Sequence, residues 1–431
     1  MTPAPAQATT EQLAALEKAL AQELEQHRCA GLNLDLTRGK PSPEQLALAD
    51  ALDGILEGDY RDSAGGDLRN YGGIDGIAEA KALFADLLGV GTDDILVGGN
   101  SSLALMHLCV MFAQHLGAAG PGSAWRSEGQ DIKFIAPCPG YDRHFAICEQ
   151  LGIALLPVAM GQDGPDMDAV EALLRADPMI KGIWCVPRFS NPTGCVYSDA
   201  VLARLARLAR LAGPNFRVFC DNAYAVHALT DDAPALGNVM QAFRDEGTTD
   251  ALYLFGSTSK MTFAGAGVAF LAMSPRNLAH FKTQLGVSQI GPDKINQMRH
   301  VRFLRDRDGV QHLMARHAAI LRPRFDSVGR HLREGLEGWD IASWTEPRGG
   351  YFVSVDTLPG LATAVVRLAA SAGVKLTPAG ATYPGGRDPQ DRNIRIAPSF
   401  PRVDEIDRAM AVFVTCLKLA GVRQRLGLPP C

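Results

Sequence analysis

Between Ile95 and Ala272 the chain repeats one pattern: a short apolar or β-branched run, then a polar cluster or a stretch with helical spacing. The runs are Ile95–Val97, Ile132–Ala136, Gly182–Val186, Arg217–Cys220, Leu252–Phe255 and Val268–Ala272. Helical stretches between them include Leu103–Leu116, Asp168–Ala176 and Asp199–Leu211. Continuous apolar strands need cover on both faces, and the intervening helices supply it. The pattern therefore predicts an α/β fold with a mostly parallel sheet between helices. After Val310 the rhythm changes. A long helical stretch from Gln311 to about Leu336 precedes short strands at Tyr351–Val355, Lys375–Thr377 and Asn393–Ile396, with helices at Leu361–Ser371 and from near Val403. This predicts a large domain over residues 51–310 and a smaller α/β C-terminal domain over 311–431. Residues 1–50 are expected to form an arm and helix associated with the small domain. Leu13, Leu16, Leu20 and Leu24 mark one face of an amphipathic helix over Glu11–His27. Met1–Thr10 is small and Pro-rich and is read as a mobile tail, and Tyr60–Gly76, rich in Gly, Asp and Arg, as a long functional loop.

Composition narrows the partners. A formal net charge of −5 lacks the concentrated basic charge that nucleic acid or an anionic membrane requires. No apolar run reaches the roughly 20 residues that span a bilayer, and no cationic-then-apolar signal segment opens the chain. The nine cysteines are scattered, without a C-x-x-C, and are read as free thiols in a reducing cytoplasm rather than as disulfides or metal ligands.

Ligands of open α/β sheets sit beyond the carboxyl ends of the strands. Four polar clusters follow predicted strands there: Gly99-Asn100-Ser101-Ser102, Asn191-Pro192-Thr193-Gly194, Asp221-Asn222-Ala223-Tyr224 and Ser257-Thr258-Ser259-Lys260. Lys260 lies in a Gly-rich apolar surround, where a depressed pKa frees the amine for imine formation; the competing reading is a surface lysine. Asp221 ends an apolar strand, where a carboxylate needs a partner. The pyridine nitrogen of pyridoxal 5′-phosphate (PLP) is one such partner, and an Asx turn or helix cap is the plain alternative. Tyr224 and Asn191 would reach the phenolic oxygen of that cofactor, or else serve as a packed aromatic and a bare turn. Gly99, Asn100, Ser101 and Ser102 have the make-up of a phosphate cradle at a helix start, with Ser257 and Ser259 adding hydroxyls, against the alternative of a capped helix. Arg395 alternates within a short strand and suits a carboxylate or an inter-strand salt bridge.

The ordered set Asn191, Asp221, Tyr224, Lys260 and Arg395 resembles the fold-type I PLP-dependent aminotransferases, class I/II, over nearly the whole chain from Gly39 to Arg395. Leu36-Thr37-Arg38-Gly39-Lys40-Pro41, Arg69-Asn70-Tyr71-Gly72-Gly73, Pro139-Gly140-Tyr141-Asp142-Arg143-His144, Pro187 to Gly194 and Ser257 to Gly267 are similar to a divergent bacterial subgroup, type Ic, whose members are aspartate aminotransferases. The resemblance implies a Schiff base on Lys260, which also shuttles the proton. It pairs Asp221 with the pyridine nitrogen, and Asn191 and Tyr224 with the phenolic oxygen. It stacks Tyr141 on the ring and gives the phosphate to Ser101, Ser102, Ser257 and Ser259. It places Arg395 on the substrate α-carboxylate and Gly39 beside the substrate. It also implies a homodimer with shared sites, in which Tyr71 reaches the partner's phosphate. One position departs: the family's phosphate-binding Arg, eight residues after the lysine, is Val268 here. For a distal carboxylate the candidates are Arg38, Arg143, Arg188 and Arg299, with Arg38 and Arg188 favoured because they lie inside the motifs.

The implied reaction is transfer of the amino group of aspartate to 2-oxoglutarate. Alternatives are an aminotransferase for an aromatic amino acid or 2-aminoadipate, and a PLP-dependent lyase or decarboxylase. A DNA-binding regulator with an aminotransferase-like domain is not expected, because the stretch before Arg38 is short and acidic.

Overall fold

The computed structural model describes residues 8–431. After a short β1 (Leu34–Asp35), seven strands build the main sheet: β2 (Ile95–Val97), β3 (Lys133–Cys138), β4 (Ala154–Ala159), β5 (Ile180–Cys185), β6 (Arg217–Asp221), β7 (Leu252–Ser257) and β8 (Ala269–Ala272). Their order is β2-β8-β7-β6-β5-β3-β4. β8 runs antiparallel to both neighbours and the other pairs are parallel. The antiparallel step lets β7 return directly into β8 without a crossover helix, so the connection carrying Lys260 stays at the sheet edge.

Side chains alternate across this sheet as a period of two requires. Ile183, Val218 and Leu254 enter one apolar cluster; Trp184, Phe219 and Phe255 enter the other, on the opposite face. All six positions of the central strands β5 and β7 are buried, whereas the edge strand β4 is partly exposed along its length. β4 is the strand of this sheet that sequence periodicity misses, as it misses the short β1 and Ala342–Trp344 elsewhere. Pro157 interrupts the run, and proline is tolerated in a sheet only where its missing N–H faces outward.

A second, three-stranded antiparallel sheet has the order β12-β10-β9, formed by β9 (Ala342–Trp344), β10 (Val353–Thr357) and β12 (Asn393–Ile396). β11 (Val374–Lys375) pairs in parallel with β1, which ties residues 34–35 to the far end of the chain. The helix Thr10–Cys29 begins with a reciprocal capping box between Thr9 and Gln12. Thr9 and Thr10 are thus ordered, and the tail reading otherwise falls on residues 1–7, outside the described residues. Leu13, Leu20 and Leu24 of this helix share an apolar cluster with Phe413, Leu417 and Ala420 of the helix Val403–Arg425. Glu17 accepts from Arg423 Nε at 2.8 Å.

The 30-residue helix Arg307–Leu336 spans both bodies. Val310, Leu313 and Met314 pack in the core of the main sheet; Leu321, Phe325, Val328 and Leu332 pack in the second core. Pro323 lies between Leu321 and Phe325, within the half that packs in the second core, and its ring removes one helical hydrogen bond.

Candidate active site

The polar clusters meet at the carboxyl edge of the main sheet. Asp221 is the last residue of β6 and is buried. Its Oδ2 lies 3.1 Å from Nε2 of His144, while its Oδ1 is buried with no protein partner. An open acceptor on a buried carboxylate is costly unless a donor from outside the chain completes it. His144 is itself buried, stacked on Trp184 at 4.4 Å between ring centres, with Tyr141 edge-on at 4.9 Å. Sequence spacing assigns His144 no role. It lies 77 residues from Asp221, and only the fold brings the helix Asp142–Gln150 beneath β6.

Lys260 follows β7. Burial pushes its amine below the ordinary lysine value, and the nearby Asp221 carboxylate offsets part of that. Nζ lies 4.9 Å from the centre of the Tyr224 ring. The lysine is held through its backbone: its carbonyl accepts from Tyr351 Oη at 3.3 Å and faces His227 Nε2 at 3.4 Å. Burial keeps His227 well below the usual histidine range, so it is neutral at pH 7. Burial also raises the Tyr224 phenol, and it pushes Tyr141 up to about 12, so both rings carry their protons at neutral pH.

Arg395 comes from β12, across from the main sheet. Its Nη1 donates to Asp142 Oδ1 at 3.1 Å and to Asn191 Oδ1 at 3.3 Å, and its Nε donates to Thr377 Oγ1 at 3.4 Å. The guanidinium lies over the Phe352 ring at 4.9 Å. Gly39 packs on the same ring; a Cβ there would stand 2.6 Å from Phe352 Cζ, which explains why no side chain fits. Arg395 thus forms an ion pair, but with a helix of the main body rather than with a neighbouring strand.

The cradle residues form one patch. Gly99 takes the left-handed conformation with φ +70°, and Ser101 caps the helix Ser102–His115. Asn100 Nδ2 donates to Gly265 O at 3.1 Å, Ser259 Oγ to Asn100 O at 3.4 Å, and Ser257 Oγ to Ser259 Oγ at 3.2 Å. Val268 is a core residue whose N–H donates to Thr258 Oγ1, so it supplies no cation.

Other expected residues lie apart within this chain. Tyr71 is 83% exposed. Arg38 is exposed, as is Arg143 in the first turn of the helix Asp142–Gln150. Arg188 donates to Ala225 O and lines a separate cavity of about 600 Å³ with Asn222, Leu229 and Arg322; neither Lys260 nor Arg395 borders it. Arg299 binds Leu52 O and Asp53, a structural role.

Comparison with known proteins agrees with this geometry. The family model described as aspartate amino-transferase matches residues 8–428. The aspartate aminotransferase of Corynebacterium glutamicum is 43% identical over 412 residues, 95% of each chain. The crystal structure of an aspartate transaminase from the same species superposes with a TM-score of 0.94 at 42% identity, over 98% of this chain and 100% of that one. An α-aminoadipate aminotransferase from Thermus thermophilus, solved with N-(5′-phosphopyridoxyl)-L-leucine, shares the fold with a TM-score of 0.74 at 22% identity over 97% and 96% of the two chains. A match that runs almost end to end, at this identity, leaves one conclusion: the chain belongs to the aspartate amino-transferase family.

Proposed function

We propose that this protein is a PLP-dependent aspartate aminotransferase, converting L-aspartate and 2-oxoglutarate to oxaloacetate and L-glutamate. The observation that carries the reading is the buried Asp221 with one oxygen unpaired, close to a lysine amine whose charge burial disfavours. The residues fit PLP: a carboxylate for the ring nitrogen, an amine for the aldehyde, and a hydroxyl-rich helix start for the phosphate. When bound, PLP supplies an aldehyde that condenses with amines and a ring that withdraws electrons from the substrate carbon.

The chain's own groups do the rest. Asp221 Oδ1, which has no protein partner, would accept from the ring nitrogen, and His144 fixes the carboxylate from the other side. Tyr141 would pack against the ring face. Asn191 and Tyr224 would donate to the phenolic oxygen; the Asn191 carbonyl is already bonded to Arg395, which leaves its NH2 to donate. Gly99, Asn100, Ser101, Ser102, Ser257 and Ser259 would bind the phosphate, with backbone N–H groups at the helix start as the donors available in place of a cation at Val268. Lys260 holds the cofactor and then carries the proton to and from the substrate α-carbon. Arg395 takes the α-carboxylate and Gly39 leaves room for the substrate. Of the two favoured candidates for the distal carboxylate, the exposed Arg38, next to Gly39, is the one we retain; Arg188 is turned to Ala225 O and a cavity that neither Lys260 nor Arg395 borders.

We assign residues 1–50 to the arm, 51–310 to a PLP-binding domain and 311–431 to the small domain; two apolar cores support the division, although Leu313 and Met314 pack in the first core and Val186, Phe189, Tyr224 and Leu229 in the second. Six buried, unpaired cysteines support a reducing, cytoplasmic setting. A homodimer is supported by Tyr71, Val287 and Ile290, apolar side chains that are 83%, 87% and 63% exposed on adjoining segments. Lys294 Nζ reaches Tyr71 O at 3.3 Å, joining those segments. Sedimentation equilibrium is expected to give twice the chain mass; a monomer mass at enzyme-assay concentration would exclude a shared site.

The direct test is the near-ultraviolet and violet absorbance of the PLP-loaded protein before and after adding aspartate alone. The band of the lysine-bound cofactor is expected to convert to that of its amine form. A band that ignores aspartate but responds to phenylalanine or 2-aminoadipate would keep the enzyme class and change the substrate.

A further inference from the structure

Arg395 is an uncommon kind of substrate-binding arginine: its charge is already answered within the chain. Its side chain is only 7% exposed, and a buried guanidinium needs a counter-charge. Asp142 supplies it at 3.1 Å, while the other two acceptors, Asn191 and Thr377, are neutral. Both Asp142 and Asn191 draw on the same nitrogen, Nη1, so the pair is a single-point contact. A free carboxylate that engages two guanidinium nitrogens in parallel makes the stronger, two-point pair. The two partners are also unequal in burial. The Asp142 side chain is 37% exposed, so it can leave toward water, whereas Arg395 cannot. Asp142 opens the helix Asp142–Gln150, where the helix dipole favours a carboxylate whether or not it is paired.

We propose that Asp142 is a built-in occupant of the substrate-carboxylate position: it neutralises Arg395 in the resting enzyme, and the α-carboxylate of the incoming amino acid or oxo acid displaces it. This rests on the aminotransferase reading and adds a residue that sets how tightly that site takes carboxylates. The displacement exchanges one ion pair for another, with no proton or bond change. Its cost is that only molecules with Arg395 released are competent to bind, so apparent affinity is reduced by the fraction held by Asp142. The benefit is that Arg395 stays oriented and is never left unpaired between turnovers. Asp142 is therefore a positioning and specificity residue, acting through Arg395.

The test compares wild type, Asp142→Asn and Asp142→Glu as PLP-loaded enzymes. Maleate, a dicarboxylate that cannot be transaminated, is the probe, with calorimetric Kd as the readout. Asp142→Asn is expected to bind maleate about fivefold more tightly, the size of a partly exposed ion pair removed from competition, and KM for aspartate should fall in step. Asp142→Glu should stay near wild type. A second readout does not need activity. Without ligand, the Asn variant should melt below wild type because Arg395 is buried unpaired, and saturating maleate should raise its melting temperature by more than it raises that of wild type. Asp142→Ser should give the same ordering if the amide variant does not fold. If wild type binds maleate and responds to aspartate while the Asn variant binds maleate equally or more weakly, Asp142 is not a competitor and the proposal fails alone. If wild type neither binds maleate nor responds to aspartate, the aminotransferase reading has failed and takes the proposal with it.

Discussion

Lys260→Ala is expected to leave a folded protein without measurable turnover, a loss of at least about 10⁴-fold, because one side chain both holds the cofactor and moves the proton. The fold should tolerate the change. The groups that fix residue 260 in place, Tyr351 and His227, bind its backbone carbonyl, which alanine keeps. The side chain's own neighbour is the face of Tyr224, so its removal costs little packing. The same environment makes a pH prediction. Burial lowers the amine pKa against a smaller opposing pull from Asp221. The neutral, nucleophilic fraction therefore rises as pH rises through a value below the ordinary lysine figure of about 10.4. The rate at which cofactor-free wild type captures PLP should climb with pH and level off before that figure. A midpoint at or above it, or normal turnover in the alanine variant, would remove Lys260 from the centre of the chemistry.

Asp221→Asn carries the second largest effect. The amide preserves shape and a contact for His144, but it cannot hold a positive charge on the ring nitrogen. Loss of a preorganised electrostatic group of this kind costs on the order of 10²–10³-fold in rate. The stability effect is small. In the cofactor-free protein Asp221 is buried with one oxygen unanswered, and relief of that unmet charge offsets the lost attraction to Lys260 while the amide oxygen keeps the contact with His144. The variant should thus react slowly yet melt close to wild type when both lack PLP. A melting temperature several degrees lower, with activity retained, would make Asp221 a structural residue held by His144.

The parts of the site that follow a strand in sequence were legible because strand and polar cluster are adjacent: Asp221 after Arg217–Cys220, Lys260 after Leu252–Phe255, Gly99 after Ile95–Val97. Their partners were not legible. His144 meets Asp221 across 77 residues, Tyr351 meets Lys260 across 91, and Asp142 meets Arg395 across 253. No local spacing encodes such pairs; they follow from which helix packs beneath which strand. Strand β4 was hidden by Pro157, which falls inside the apolar run Ile153–Met160 and argues against a strand except at a sheet edge. Arg188 illustrates the converse. Its place in a motif suggested substrate, yet the backbone turn sends its guanidinium to Ala225 O and a different cavity.

The pairing of the helix Thr10–Cys29 with the helix Val403–Arg425 has a consequence for biosynthesis. The apolar face of the helix Thr10–Cys29 packs mainly on a helix that is made much later. At about 5–20 residues per second, the intervening chain takes on the order of 20–80 s to emerge. Throughout that interval Leu13, Leu20 and Leu24 have no cover, and β1 waits for β11. The nascent arm is thus the stretch most exposed to premature association, and the main sheet, whose strands all lie before residue 273, is free to form first. Completion of the second core is then a ring-closing event that joins the helix Thr10–Cys29 to the helix Val403–Arg425.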